Sequence, residues 1–382
     1  MFKTIFQILP FLFALLLTGV FARAARLSVR AQAVWAAVFL ACAAKFALFG
    51  ALGGDVFNPE LPEKFIWAWN WAYSGMCLLL ALTLPWALAC HLARRTRGGE
   101  ICRAGGRVAL PVLAWTLAAV GLYNGIKIPE VVEVPIVSAR LPPALEGYRI
   151  LQLTDIHVSA AATRARTEAL VARANAAHAD LIVCTGDIVD GLPRHQAENV
   201  APLAALAAKD GVLFCTGNHE YYSDWWGWQA RFDGWGWRFL HNEWVSPRAG
   251  LVVAGVDDAA SNFNPDMARY GAFPSVNRAF DGAPEAAFRI LLQHRPQLDY
   301  EAFGEVPAAA FDLQVSGHTH GGVAPGLRTL VQAFNGGYVR GLYTRADGSQ
   351  LYVSPGAGQW AGFPVRFFND PEITVFTLHR KP

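Results

Sequence analysis

Four apolar runs, at 5–22, 33–52, 65–90 and 108–123, fill the first third of this 382-residue chain. Each is long enough, or nearly so, for a helix to cross a hydrocarbon core of about 30 Å. They have almost no polar face, which a soluble helical bundle would need. This feature constrains the fold first: about a third of the chain must sit in lipid. Composition agrees, with 53% hydrophobic and only 16% charged residues. Pro10 in the first run is tolerated better in a membrane helix than in a soluble one. Lys45, near the end of the second, is expected to snorkel towards the interface. Trp67, Trp69 and Trp71 open the third as an interfacial belt would.

The flanking charges give an orientation. Arg23, Arg26 and Arg30 separate the first two runs, and Arg94, Arg95, Arg97, Arg103 and Arg107 the last two. The middle connection holds Asp55, Glu60 and Glu63 against Lys64. The positive-inside rule then puts both arginine stretches in the cytoplasm. The N-terminus and everything after Tyr123 fall outside, on the periplasmic face in a two-membrane host. A rival reading takes the first run as a cleaved signal peptide at Ala22-Arg23-Ala24. It would leave the five-arginine stretch outside, against the charge bias. A formal net charge of +2 gives no reason to expect a nucleic-acid partner.

Beyond Pro129 the pattern changes, so the chain divides into a transmembrane region, 1–128, and a globular domain, 129–382. A valine-rich strand at 130–138 is followed by the break Leu141-Pro142-Pro143. Buried strands are read at 148–153, 181–185 and 212–216, separated by helices at 163–177 and 197–208. Strands alternating with helices argue for βαβ units and a largely parallel sheet. Further strands are read at 251–256, 289–293, 313–316, 350–354 and 373–378.

Polar residues cluster where these strands end, the edge at which open α/β sheets bind ligands. Thr-Asp-Ile-His supplies Asp155 and His157. Gly-Asp-Ile-Val-Asp supplies Asp187 and Asp190. Gly-Asn-His-Glu supplies Asn218 and His219. Leu-Leu-Gln-His supplies His294, and Gly-His-Thr-His-Gly-Gly supplies His318 and His320. Singly, each has a plain structural reading, since Gly-Asp and Gly-Asn are common turn dipeptides. Five such motifs in order, each after a strand, are poorly explained by coincidence. Mixed imidazole and carboxylate donors suit zinc, manganese or iron rather than calcium. A carboxylate such as Asp187 can bridge two cations, and water between them ionises near neutral pH and becomes a nucleophile.

In this order the motifs resemble the calcineurin-like metallophosphoesterase superfamily, over roughly residues 130 to 380. The short Gly-Asp-x-x-Asp and Gly-His-Thr-His-Gly-Gly forms, Tyr-Val-Ser-Pro-Gly and Pro-Val-Arg-Phe are similar to its bacterial membrane-associated or exported branch, the YkuE and YaeI type. The resemblance implies a four-layer α/β/β/α sandwich behind the membrane helices. It implies two divalent ions (manganese, zinc or iron), the first held by Asp155, His157, His320 and Asp187. The second would be held by Asp187, Asn218, His294 and His318. His219 would protonate the leaving oxygen or stabilise the transition state, and Asp190 would orient the site. The implied activity is hydrolysis of a phosphodiester, pyrophosphate or phosphomonoester. The membrane runs tilt the expected partner from a phosphorylated small molecule towards a lipid-linked envelope substrate. A membrane sensor that uses the metal site only for binding is the alternative, and the complete donor set argues against it.

Trp225, Trp226, Trp228, Trp235 and Trp237 crowd the segment after Gly-Asn-His-Glu. They form an aromatic platform at the site mouth, a patch dipping into the bilayer to meet a lipid substrate, or the buried face of a helix at 224–232 with a strand at 237–240. Trp228 and Trp237 are read as core. Adjacent Trp225 and Trp226 cannot share one helix face. Cys184 and Cys215 are read as buried thiols.

Overall fold

The computed structural model describes residues 2–54, 59–263, 274–297 and 311–381. Asp55, one of the acidic residues used for orientation, lies outside the described residues. The chain divides into two compact units: residues 1–125 with 361–365, and residues 126–360 with 366–382.

The first unit is helical. Helix α1 (Phe2–Ala25) precedes α2 (Val29–Ala43) and α3 (Lys45–Leu52), then α4 (Glu63–Leu92) and α5 (Arg97–Ile126). Three of these helices are long and apolar enough to cross a membrane, or four if the α2–α3 pair, bent by 48°, counts as one span. The second apolar run is therefore not one straight helix. The fourth is longer than its apolar run, because α5 takes in Arg97, Arg103 and Arg107. Thirty residues reach about 45 Å, beyond the hydrocarbon thickness, so its basic first turns need no apolar surroundings. Small residues let large rings pack close. A side chain at Gly75 would overlap the Trp115 indole, and one at Gly106 would overlap Trp86.

The second unit is built on two six-stranded sheets. In the first the order is β1 (Glu130–Ser138), β12 (Glu372–Arg380), β2 (Arg149–Leu153), β3 (Leu181–Thr185), β4 (Val212–Cys215), β5 (Arg238–Phe239). All its pairings are parallel except β12 with β2. The second runs β10 (Gly341–Thr344), β11 (Gln350–Val353), β9 (Leu313–Ser316), β8 (Phe288–Leu292), β7 (Leu251–Gly255), β6 (Glu243–Arg248). Its central pairings are parallel and its edge pairings antiparallel.

Strand alternation decides the layers. Ile150, Leu181, Val183 and Leu213 turn towards Val253, Ile290, Leu292 and Val315 of the other sheet, forming the inter-sheet core. Leu151, Leu153, Ile182 and Phe214 turn the other way, under α6 (Arg164–Ala176), α7 (Pro193–Val200) and α9 (Trp225–Gly234), the last preceded by the short α8 (Asn218–Tyr222). Val252, Ala254 and Leu291 pack beneath the helix Val276–Ala279. The result is the expected four-layer α/β/β/α sandwich.

Cys184 and Cys215 are fully buried, free, and on opposite faces of the first sheet. Burial pushes both thiols up from their ordinary value. Trp228 and Trp237 are core. Trp225 is also buried, packed on Phe239 at 4.9 Å, whereas Trp226 is exposed.

Candidate metal centre

The site is built on the loops that follow β2, β3, β4, β8 and β9. Five of its residues, Asp155, His157, Asp187, His318 and His320, have φ between 47° and 69°. Non-glycine residues in this left-handed region cost about 1–3 kcal/mol each and persist only where the surroundings force them. The sharp reversals aim consecutive motif side chains at one point. The motif glycines permit the crowding. A Cβ at Gly217 would overlap the Asp187 carboxylate, and one at Gly317 would overlap that of Asp155.

All nine residues singled out in the sequence lie on these loops, and each is buried except the partly exposed His318. Asp155, His157 and His320 form one group whose donor atoms lie within 4.8 Å of one another, and Asp187, His294 and His318 form a second. Asp187 Oδ2 lies 3.2 Å from His294 Nε2 and 3.8 Å from His157 Nε2, so one carboxylate faces both groups. His219 also comes within reach of His157 and Asp187. Its Nδ1–H, however, donates to Asp190 at 2.6 Å.

Hydrogen bonds fix the imidazole tautomers. His157 Nδ1–H donates to Asp190 Oδ1 at 3.0 Å, and His294 Nδ1–H donates to the Thr185 carbonyl at 2.8 Å. In each ring the outer nitrogen donates away from the centre, which leaves the inner one to face the carboxylates as a possible metal donor. His157 Nε2 and Asn218 Oδ1 are buried with no hydrogen-bond partner. His294 Nε2 faces a carboxylate oxygen on one side and His318 Nδ1, at 3.2 Å, on the other. Acceptors facing acceptors demand a cation. Without a metal that demand falls on a proton: although burial alone would lower it, Asp187 carries His294 up to about 10. Burial and then Arg295 push His318 down to about 3. Burial and then His157 push His320 well below its ordinary range. The donor set thus fits divalent cations: His318 and His320 are held neutral, and the proton drawn to His294 beside Asp187 marks a place that a cation would fill.

Asp190 receives both His157 and His219. Burial would raise its carboxyl, but these imidazoles hold it at about 2. Against the opposing effect of burial, Asp187 and Asp190 together raise His219 to about 9. The His219 ring stands edge-on to His157 at 4.6 Å and meets Tyr222 at 5.3 Å and Trp360 at 6.2 Å. Trp226 is elsewhere. With Trp225, Phe239 and His241 it lines a separate surface cavity of about 420 Å³ that no candidate metal ligand touches.

Two residues were not assigned roles from the sequence. Fully buried Glu220 accepts the backbone N–H groups of Asp187, Ile188 and Gly217 at 2.7–2.9 Å, tying the β3 and β4 loops together. Its signal was the capping-box position, three residues after Gly217 at the start of a helical turn. Fully buried Arg366 donates from Nη2 to the carbonyls of Gly356 and Gly358 and faces His320 Nδ1 at 3.3 Å. It sits in the Pro-Val-Arg-Phe tail, where no local pattern marks a contact 46 residues away.

This geometry is accompanied by sequence relatives. Residues 148–322 match the family described as Calcineurin-like phosphoesterase. A protein of Danio rerio named transmembrane protein with metallophosphoesterase domain is 32% identical over 299 residues, 75% of this chain and 67% of that one. Its Bos taurus namesake is 32% identical over 320 residues, covering 80% and 70% respectively. The uncharacterized metallophosphoesterase YkuE of Bacillus subtilis is 31% identical over 263 residues, 65% of this chain and 85% of that one. The chain belongs to the calcineurin-like phosphoesterase family. Its apolar helices and the transmembrane names of two relatives support membrane association.

Proposed function

We propose that this chain is a dinuclear metal-dependent hydrolase of phosphoesters or pyrophosphates, tethered to a membrane and acting on a lipid-linked envelope substrate. The observation that carries the reading is the position of Asp187, whose carboxylate faces the inner ring nitrogens of His157 and His294 in two neighbouring donor groups. Asp155, His157, His320 and Asp187 would hold one ion, and Asp187, Asn218, His294 and His318 the other. Bound there, two divalent ions would make water nucleophilic near neutral pH and neutralise phosphoryl charge.

The chain's own groups supply the rest. Asp190 fixes the Nδ1–H tautomer of His219 and supports its positive charge. Asp187 and Asp190 raise His219 above its ordinary value, to about 9 with no metal bound, and the Asp190 contact would go on favouring a protonated ring once Asp187 holds metal. That proton goes to the departing oxygen as the ester bond breaks. Tyr222 and Trp360 pack against the ring, at 5.3 and 6.2 Å between centroids, and help to hold its orientation. The tether and the apolar helices support a lipid-linked substrate by holding the site at a membrane. A sensor that only binds metal has no use for a protonated imidazole beside the donor groups.

The test uses the full chain in detergent with manganese, zinc or iron, an aryl phosphodiester, and elemental analysis. Wild type is expected to turn over and hold two metals. Asp187→Ala is expected to lose at least one metal and nearly all activity. Two metals and undiminished turnover in that variant would refute the assignment.

A further inference from the structure

Lys45 and Asn70 are fully buried in the helical unit and play no part in the chemistry above. Polar groups inside membrane helices are costly and call for partners. Lys45 therefore does not snorkel, as its sequence position suggested. Its ammonium donates to the Gly362 carbonyl and lies over the rings of Phe46 at 4.3 Å and Tyr73 at 4.9 Å. Asn70 Nδ2 donates to the Ala361 carbonyl at 3.0 Å. Phe363 stands edge-on to Tyr73 at 6.3 Å, and Pro364 packs against Gly125, where a Cβ would overlap its carbonyl.

The segment 361–365 thus belongs to the helical unit although it lies far along the chain. It forms neither helix nor strand, so its carbonyls have no ladder to join. Two consecutive ones are taken by buried side chains. The residues at its two ends are the ones that meet the metal centre. Trp360 touches His219, and Arg366 faces His320 while donating back to the Gly358 carbonyl. Gly358 in turn donates its N–H to the Asp155 carbonyl at 2.8 Å. The loop is tied at its base by Arg366 and at its tip by Lys45 and Asn70.

We propose that Lys45 and Asn70 are positioning residues: by clamping the 361–365 segment they set Trp360 against the leaving-group acid His219. The effect on turnover rests on the phosphoesterase reading, but the clamp itself does not. Removing either donor strands a buried carbonyl and frees the loop tip. Trp360 then no longer confines His219, and protonation of the leaving oxygen suffers first. Lys45→Arg keeps a cationic donor and is expected to restore both effects.

The full-length protein in lipid nanodiscs, as wild type, Lys45→Met, Asn70→Leu and Lys45→Arg, decides this by hydrogen exchange and by turnover. Exchange in peptides covering 358–367 and 217–222 is expected to rise about tenfold in the first two variants, with β2 and β3 unchanged. For aryl phosphodiesters, kcat should fall about tenfold with poor leaving groups and less with good ones, at unchanged KM. Unchanged exchange at 358–367 would overturn the clamp. So would a rise spread evenly over the whole chain. Local loosening with an unmoved leaving-group dependence would overturn the link to His219. A wild type that turns over no phosphoester would instead defeat the enzymatic reading, and exchange at 217–222 would still judge the link.

Discussion

His219 and Asp190 are 2.6 Å apart and buried, so each sets the other's protonation. Against burial, Asp187 and then Asp190 stabilise the imidazolium and lift His219 above its ordinary value, to about 9. Activity that needs the protonated ring should therefore persist to alkaline pH and fall once that proton leaves. Asp190→Asn removes the negative charge, lowers the His219 pKa, and should move the alkaline limb of kcat/KM to lower pH. A limb that stays in place would mean another group limits the rate. His219→Ala should retain both metals and slow hydrolysis about 10²–10⁴-fold, least for substrates with good leaving groups. Loss of a metal in that variant would make His219 a ligand. At this scale the sequence was informative, because side chains of the right chemistry follow strands in order. Glu220 and Arg366 escaped it because they act on backbone groups and on a distant ring. Such contacts leave little trace in residue spacing.

Elements were legible wherever burial imposes a period. Strands β3 and β9 fall where the apolar runs place them, and β1 matches its valine-rich stretch. The half-buried edge strands β6 and β10 were missed, since their polar residues dilute the alternation. The expected helix at 197–208 instead starts at Pro193 and gives way at Ala201 to a 3₁₀ turn before Leu206. Proline in the first turn marks that start. Nothing in the second apolar run marks the bend at Ala44, which falls beside Lys45, a residue drawn to a carbonyl from a distant segment. Helix α9 shows what burial predicts for mutation. Trp228 is enclosed, stacks on Phe232 at 5.9 Å and donates its Nε1–H to the Gly191 carbonyl. Trp228→Ala should cost about 3–5 kcal/mol. Exposed Trp226→Ser should change stability by less than about 0.5 kcal/mol. Thermal unfolding of the two variants separates them, and equal losses would contradict the burial assignment.

For the whole molecule the open quantity is the side of the membrane on which the phosphoesterase unit works. Arg23, Arg26 and Arg30 lie at the α1–α2 junction, and Arg94, Arg95, Arg97, Arg103 and Arg107 at the junction and first turns of α5. Against these stand Lys3, Lys64 and Lys127 near the opposite ends of the spans. Basic residues near span ends resist transfer whether or not they are helical, and acidic ones matter little. The helical start of α5 therefore leaves the argument intact. Counting the bent α2–α3 pair as one span gives an even number, with both termini outside. Counting it as a re-entrant segment leaves three spans and puts the phosphoesterase unit on the side opposite the N-terminus. Three spans would put the two junctions on opposite sides and leave one arginine stretch outside, so the charge pattern favours four spans and, with them, an outer site. An outer site excludes cytosolic nucleotides as routine substrates and favours envelope lipids or their head groups. Alkaline phosphatase fused to the C-terminus should then be active. Green fluorescent protein fused there and exported by the general secretory route should be dark. Bright fluorescence with an inactive phosphatase fusion would place the site inside. The pyrophosphate bond of a nucleotide-linked lipid precursor would then become the first substrate to try, because only the cytoplasmic face offers it.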